Sequence, residues 1–497
     1  MMNRIIYTLV ALFLVSSLFS QKLESFEYED RLSVIVINIF APGLNGTYDV
    51  DRYRIKYFTA DTDGNEHLAS GLICVPSSAD HLKFPMACYQ HGTVTGREDV
   101  PSNLTGGYIL GAAFATHGYV VAMADYVGLG ISPGVHPYIH STTEASAGLD
   151  ILRATRELIE QLDNVSLNEQ VFVSGYSQGG HAAMALAREL ETNHTDEFNL
   201  IASAPMSGPY SVSEKMRDFT LSDEEYETVS YLAWLTLGYQ RAYPATLGDL
   251  ELADVFKPEY LNDILEFKNE NIPLYDLDES TRNSLNDRMQ DTLLSTAGSI
   301  VPKNILQPNI LDALLNDPSH PLSIALADND NYDWAPQVPT NLYYCEGDDQ
   351  VTFENAILAE EVMTTNGSTS VTAIRMDTDA EPRNHTGCVS PASLAALEFF
   401  DSFSEISEVS TNVKEFDNHP DIQVYGSENT VSIDISAYEL KNLRMDIYDM
   451  NGRRLLQKPL NTGKSTHLLR DLAASGIFVI AISDAKSLLN ITKLSIN

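Results

Sequence analysis

The stretch Gln170-Val-Phe-Val-Ser174-Gly175-Tyr176-Ser177-Gln178-Gly179-Gly180-His181-Ala-Ala-Met-Ala-Leu-Ala187 decides how this chain is read. Apolar, β-branched and aromatic residues ahead of the first glycine predict a buried strand, and the alanine-rich run after His181 predicts a helix. A Gly-x-Ser-x-Gly pattern alone says little. Between a strand and a helix it predicts a turn so sharp that Ser177 takes a strained backbone, while Gly175 and Gly179 let the two elements approach. The serine oxygen then stands at the head of a helix, whose free amides and dipole favour developing negative charge. The alternative is an ordinary serine in a strand-to-helix turn.

Working outward, apolar runs at 84–90, 119–124, 170–174, 199–204 and 341–345 alternate with helical stretches such as 141–161 and 178–191. Continuous apolar strands alternating with helices predict an α/β fold, with a mostly parallel sheet covered on both faces. Ahead of them, 52–76 reads as two strands about the turn Asp61-Thr-Asp-Gly64-Asn65. From 211 to 338 the alternation stops. That segment is helix-rich and acidic, holds Trp234 and Trp334, and is read as a cap over the site or else a structural excursion.

Residues 1–20 read as an export signal: Arg4 supplies the positive start, 5–19 are apolar, and Ser20 offers a small residue before Gln21. The apolar run falls short of the roughly twenty residues a bilayer span needs. A buried N-terminal helix is the other reading. The catalytic domain is then expected over 21–405, a polar linker over 406–420, and a small all-β module over 421–497. Short β runs at 430–435, 444–449, 477–482 and 491–496, broken by Asn451-Gly452 and Ser475-Gly476, carry that last expectation.

Lys+Arg 31 against Asp+Glu 69 gives a net charge of −38, which disfavours nucleic acid and anionic lipid as partners. The tail from 413 onward is balanced, so all the excess lies in 1–412. Four cysteines without a CxxC pair exclude a disulfide scaffold and a thiolate zinc site. The acidic run Asp328-Asn-Asp330-Asn-Tyr-Asp333 lacks the glycine and closing glutamate of a calcium loop and is expected to be a solvated loop.

A serine hydroxyl becomes nucleophilic only when a base takes its proton and a third group orients that base. After the cap, the apolar strand ending at Cys345 opens into Glu346-Gly-Asp348-Asp349-Gln-Val351, so Asp348 is read as the orienting acid, with Asp349 the alternative and otherwise a solvated turn carboxylate. After the next strand, 371–376, His385 precedes a closing helix expected over 390–400 and is the candidate base. His181, inside the helix that follows Ser177, is expected to serve packing. Two amides must bind the oxyanion: that of Gln178, next to the nucleophile, and that of Thr93, in the loop His91-Gly92-Thr93 after the strand 84–90. Asp125 and Tyr126, ending the strand 119–124, are expected to shape the site together with His91, Gly92, Gly175, Tyr176 and Gly179. Cys345 and Cys388 lie three positions from Asp348 and His385, where they either oxidise to a disulfide or remain free buried thiols; Cys74 and Cys88 read as strand core. No metal or cofactor is called for.

With Ser177, Asp348 and His385 in this order, residues 30–403 resemble an α/β-hydrolase, and within that fold the secretory lipase family of fungal lipase-A-like proteins and their bacterial relatives. Tyr89-Gln-His-Gly-Thr93, Asp125-Tyr-Val-Gly128, Gly175-Tyr-Ser-Gln-Gly-Gly180 and Asp348-Asp-Gln-Val351 carry the resemblance. It implies a helical lid and a secreted serine esterase or lipase acting on a small-molecule ester or lipid. The tail resembles the type A sorting domain of the type IX secretion system through Ile447-Tyr-Asp-Met-Asn-Gly-Arg453, Leu472-Ala-Ala-Ser-Gly-Ile-Phe478 and Lys493-Leu-Ser-Ile496. It departs from that pattern at its opening, where His419-Pro420-Asp421 stands in place of Pro-Asn-Pro. This resemblance implies passage to the cell surface or medium through that machinery. Two other readings stay open: a serine peptidase of prolyl-oligopeptidase type, and a non-catalytic surface binding protein that retains the fold.

Overall fold

The computed structural model describes residues 21–40, 43–276, 281–408, 422–427, 430–435, 442–448, 454–468, 476–484 and 488–496. The export signal expected over 1–20, most of the linker, the Asn451-Gly452 turn and Ser475 lie outside them. The chain divides into two compact units, Met1–Val409 and Ser410–Asn497. Among the described residues no helix is long and apolar enough to cross a membrane.

The main sheet of the first unit runs β1 (Leu23–Leu32), β2 (Asp49–Ala60), β3 (Glu66–Ser77), β5 (Val120–Ala124), β4 (Leu82–Gln90), β6 (Val165–Tyr176), β7 (Asn199–Met206), β8 (Thr340–Tyr344), β9 (Val371–Arg375). The first three strands pair antiparallel, β3 meets β5 antiparallel, and from β5 through β9 every pairing is parallel. A short strand, Ser407–Glu408, pairs antiparallel with Lys83 and Leu82 of β4, so the first unit extends past 405. β1 had no apolar alternation to announce it: Leu-Glu-Ser-Phe-Glu-Tyr-Glu-Asp-Arg-Leu is an edge strand, mostly exposed.

Alternation within a central strand sends neighbours to opposite layers. In β6, Val171 and Val173 join one apolar cluster and Phe172 the other. The first layer is filled by the helices Ser141–Ile159 and Gln178–Asn193, and the second by Tyr108–Thr116 and His385–Asp401. This last helix begins at His385, not near 390 as its sequence suggests. Asn384 caps it by accepting from the Gly387 amide, and Pro391, which reads as a first-turn residue, lies inside.

Between β7 and β8 the chain builds a helical body, including Tyr231–Ala242, Leu261–Lys268, Leu285–Thr296, Pro308–Asn316 and Pro321–Asp328. Prolines open the last two, where the missing amide donor costs nothing. Trp234, Leu237, Ile264, Met289, Leu293 and Ile310 are buried and continuous with the core of the first layer. In the second unit, antiparallel sheets of three strands (Ile422–Ser427, Thr430–Ile435, Gly463–Leu468) and four strands (Arg454–Leu460, Leu443–Tyr448, Gly476–Ser483, Leu488–Ile496) enclose a core that includes Ile433, Met445, Ile447 and Ile480.

Candidate active site

Ser177 stands between the end of β6 and the helix Gln178–Asn193 with φ 63° and ψ −123°. This left-handed backbone costs a serine on the order of 1–3 kcal/mol. Hydrogen bonds hold it: the Ser177 amide donates to the Met206 carbonyl at 3.0 Å, and its own carbonyl accepts from Gly180 at 2.8 Å and His181 at 3.2 Å. The flanking glycines are required by contact. A Cβ on Gly175 would lie 2.2 Å from the Gly179 carbonyl oxygen, and one on Gly179 would lie 2.0 Å from that of Gln90.

Asp348 follows β8 on a tight turn, where its Oδ1 accepts from the amides of Gln350 at 3.0 Å and Val351 at 2.9 Å. Both of its oxygens face Nδ1 of His385, at 2.9 and 2.8 Å. Asp349 does something else: its Oδ1 accepts from the backbone amide of His385 at 3.0 Å. With Nδ1 committed to Asp348, Nε2 is the nitrogen left to act as a base. The Tyr176 hydroxyl donates to the His385 carbonyl at 2.6 Å, and the two rings lie 5.0 Å apart between centroids. The imidazole is thereby seated against the residue preceding Ser177. The Ser177 hydroxyl makes no hydrogen bond among the described residues; in ligand-free sites the nucleophile–base bond commonly closes only around substrate.

Two further devices join the acid turn to the base. Cys345 and Cys388 form a disulfide. The Asp377 carboxylate accepts from the amides of Glu346 at 3.1 Å, Gly347 at 3.0 Å and Arg383 at 3.1 Å, and from Arg375 Nε at 2.8 Å. Burial opposes its charge, but Arg375 and these amides outweigh burial and hold the carboxyl at about 2.

The loop after β4 reaches the same point. A Cβ on Gly92 would sit 3.1 Å from the Tyr176 carbonyl and 3.6 Å from the Ser177 Cβ, so this backbone runs against the nucleophile. Thr93 is held at both ends: its hydroxyl shares a 2.8 Å hydrogen bond with that of Tyr138, and its carbonyl accepts from the Tyr275 hydroxyl at 2.8 Å. The Gln178 amide, in the first turn of its helix, has no carbonyl four residues back to bond. Below them the His91 ring packs on Tyr126 at 4.3 Å, and the Tyr126 hydroxyl donates to the His91 carbonyl at 3.0 Å. Asp125 is buried, accepting from the Ser70 hydroxyl at 2.6 Å and the Ser102 amide at 2.9 Å. Burial pushes its carboxyl up and the His91 imidazole down.

His181 does more than pack. It is fully buried, its Nδ1 lying 2.6 Å from a Glu144 carboxyl oxygen and its Nε2 donating to the Asn329 carbonyl at 2.9 Å. The expected solvated loop after Asp328 is also corrected: Asn329 and Asn331 are buried, and the Asn331 amide group donates to the His181 carbonyl at 2.8 Å. Asn329 instead accepts from the Ser141 amide and Asp330 from the Ser213 amide, while Asp328 and Asp333 remain exposed. Among the described residues, no group of three or more His, Cys, Asp or Glu side chains is placed to hold a metal ion.

From Ser177 and Gln178 an apolar cavity of about 120 Å³ extends beneath the cap, lined by Leu221, Leu235, Leu306, Leu314, Leu322 and Leu326 among others. A family model described as serine aminopeptidase, S33, matches residues 108–236. No curated protein matches the chain. Among solved structures, a point mutant of the rice cell wall degrading esterase LipA from Xanthomonas oryzae superposes with a TM-score of 0.67 at 27% identity, over 77% of this chain and 98% of that one. Another LipA structure gives 0.63 at 27% identity, over 77% and 96%. Candida antarctica lipase A in its closed state gives 0.53 at 13% identity, over 74% and 78%, a likeness of fold.

The chain carries the α/β-hydrolase fold.

In this α/β-hydrolase the sequence showed Ser177, the two aspartates and His385 through their places at strand ends. Glu144 and His136, which the structure brings under the nucleophile turn, were missed. Each lies in an unremarkable local context, and only the tertiary fold joins them.

Proposed function

We propose that the chain is a secreted serine carboxylester hydrolase acting on esters with an apolar acyl group. Ser177 Oγ attacks the ester carbonyl carbon while its proton passes to Nε2 of His385; Asp348 fixes the tautomer and balances the imidazolium. The oxyanion is received by the amides of Thr93 and Gln178. The carbon–oxygen bond to the alcohol then breaks, and His385 returns its proton to the leaving oxygen. Water attacks the acyl-enzyme, gives a proton to His385, and the acid departs as Ser177 is reprotonated. The observation that carries this reading is the Asp348–His385 pair packed on Tyr176, the residue before a strained serine that lines an apolar cavity.

The matched aminopeptidase model keeps a peptidase as the second reading, because the same triad cleaves amides. Aryl and glyceryl esters of increasing acyl length, assayed beside Xaa-Pro amides with Ser177→Ala as control, separate the readings. Ester turnover lost in the variant supports the proposal, amide turnover alone supports the peptidase, and no turnover supports a binding protein. Export rests on the apolar start of the chain, and the tail's resemblance to a type IX sorting domain proposes that machinery as its partner. Fractionating cells that carry the full or tail-deleted chain tests this.

A further inference from the structure

The Gln178 side chain, 1% exposed, points into the interior instead of the cavity's solvent mouth. Its Nε2 donates to Glu144 Oε1 at 3.0 Å and to His136 Nε2 at 2.8 Å, while its Oε1 is buried without a partner. Everything that fixes this side chain therefore acts through one nitrogen. Both acceptors are themselves fixed. His136 Nδ1 donates to the Val127 carbonyl at 2.7 Å, which leaves Nε2 as an acceptor. Glu144, on the helix Ser141–Ile159 and 0% exposed, receives Nδ1 of His181 on its other oxygen at 2.6 Å. Nε2 of His181 in turn donates to the Asn329 carbonyl at 2.9 Å, so the ring is fixed at both ends and holds Glu144 in place. His140 also lies beside Glu144 and is held neutral by burial, its imidazole pushed down to about 4.

A buried polar pair is a poor source of stability, because desolvation offsets most of what its hydrogen bonds return. Its geometric effect is another matter: an acceptor fixed by a second residue holds a donor in one orientation. Here the donor belongs to the residue whose backbone amide faces the developing oxyanion. We infer that Glu144, with His136, is a positioning residue that holds the Gln178 amide aimed at the oxyanion, so that the buried cluster serves turnover and not substrate binding. This rests on the ester-hydrolase reading above. The oxyanion exists only along the reaction, so loosening its donor lowers kcat and leaves KM nearly unchanged.

Gln178→Met keeps the backbone amide and nearly the same volume but removes the anchored nitrogen; Glu144→Leu removes its acceptor. The expected result for Gln178→Met on a short aryl ester is a loss in kcat of about tenfold or more, below the full 10²–10³ of a deleted donor. KM should stay within about twofold, and binding of a trifluoromethyl ketone, which forms a tetrahedral oxyanion on the serine, should weaken by the same factor as kcat/KM. Glu144→Leu in the Gln178→Met background should add little, because Glu144 acts through Gln178. Unchanged kcat in Gln178→Met, a loss carried by KM, or losses that multiply in the double variant would overturn the inference. Should Glu144→Leu fail to fold, Gln178→Met decides alone, since it leaves the Glu144–His181 pair in place. An unmodified chain inactive on every ester defeats the underlying reading instead.

Discussion

Asp348 and Asp349 are neighbours of identical chemistry with separate partners. The first receives the imidazole of His385 and the second its backbone amide. Asparagine at 348 would offer its own N–H to Nδ1 and favour the wrong tautomer. Asp348→Asn is therefore expected to lower kcat on the order of 10⁴-fold. Asp349→Asn keeps an acceptor for the amide and should cost about tenfold or less; steady-state ester assays of both variants check this, and equal losses would refute the division. The candidate serine, acids and base could be picked out because acyl transfer would restrict both the residue types and their order along the chain. Sequence preferred Asp348 but left Asp349 open, since a turn residue's side-chain direction depends on the helix it faces. Glu144 and the pairing of His181 with it stayed hidden for a related reason: a buried contact between residues 37 positions apart leaves no periodic or turn signal.

At the scale of elements, the candidate base His385 sits at the first turn of the closing helix, and its partner Asp348 sits on a turn after β8. The Cys345–Cys388 bond joins these two elements across 43 positions of sequence. Replacing both cysteines with alanine should cost about 2–4 kcal/mol by the loop-closure argument. Because the bond sits three residues from each catalytic side chain, kcat should fall as well. Urea unfolding with parallel ester assays reads both; a stability loss with kcat untouched would show that the bond braces the fold but not the pair. The alternating strands and helices were readable here, whereas this helix starts at His385, ahead of the expected 390, because the Asn384 side chain caps it and Pro391 is accommodated inside. The charged edge strand β1 gave no apolar pattern at all.

For the whole molecule, acid should act through its buried histidines. Burial lowers the imidazoles of both His136 and His140 to about 4. The unfolded chain, with ordinary imidazoles near 6.5, binds their protons first, so stability is intact above about 6.5 and is lost as the pH falls toward 4. Each histidine is worth on the order of 3 kcal/mol over that window. Unfolding free energies measured in urea at pH 7 and pH 4.5 should differ accordingly; equal values would show that these rings are not held neutral. The central claim concerns one hydroxyl in the intact chain, and the most direct measurement is reaction with a fluorophosphonate followed by peptide mass mapping. The account predicts a single adduct, on the peptide containing Ser177, formed far more slowly when His385 is replaced by alanine. An adduct on another residue, or labelling of Ser177 at an unchanged rate without His385, would contradict it.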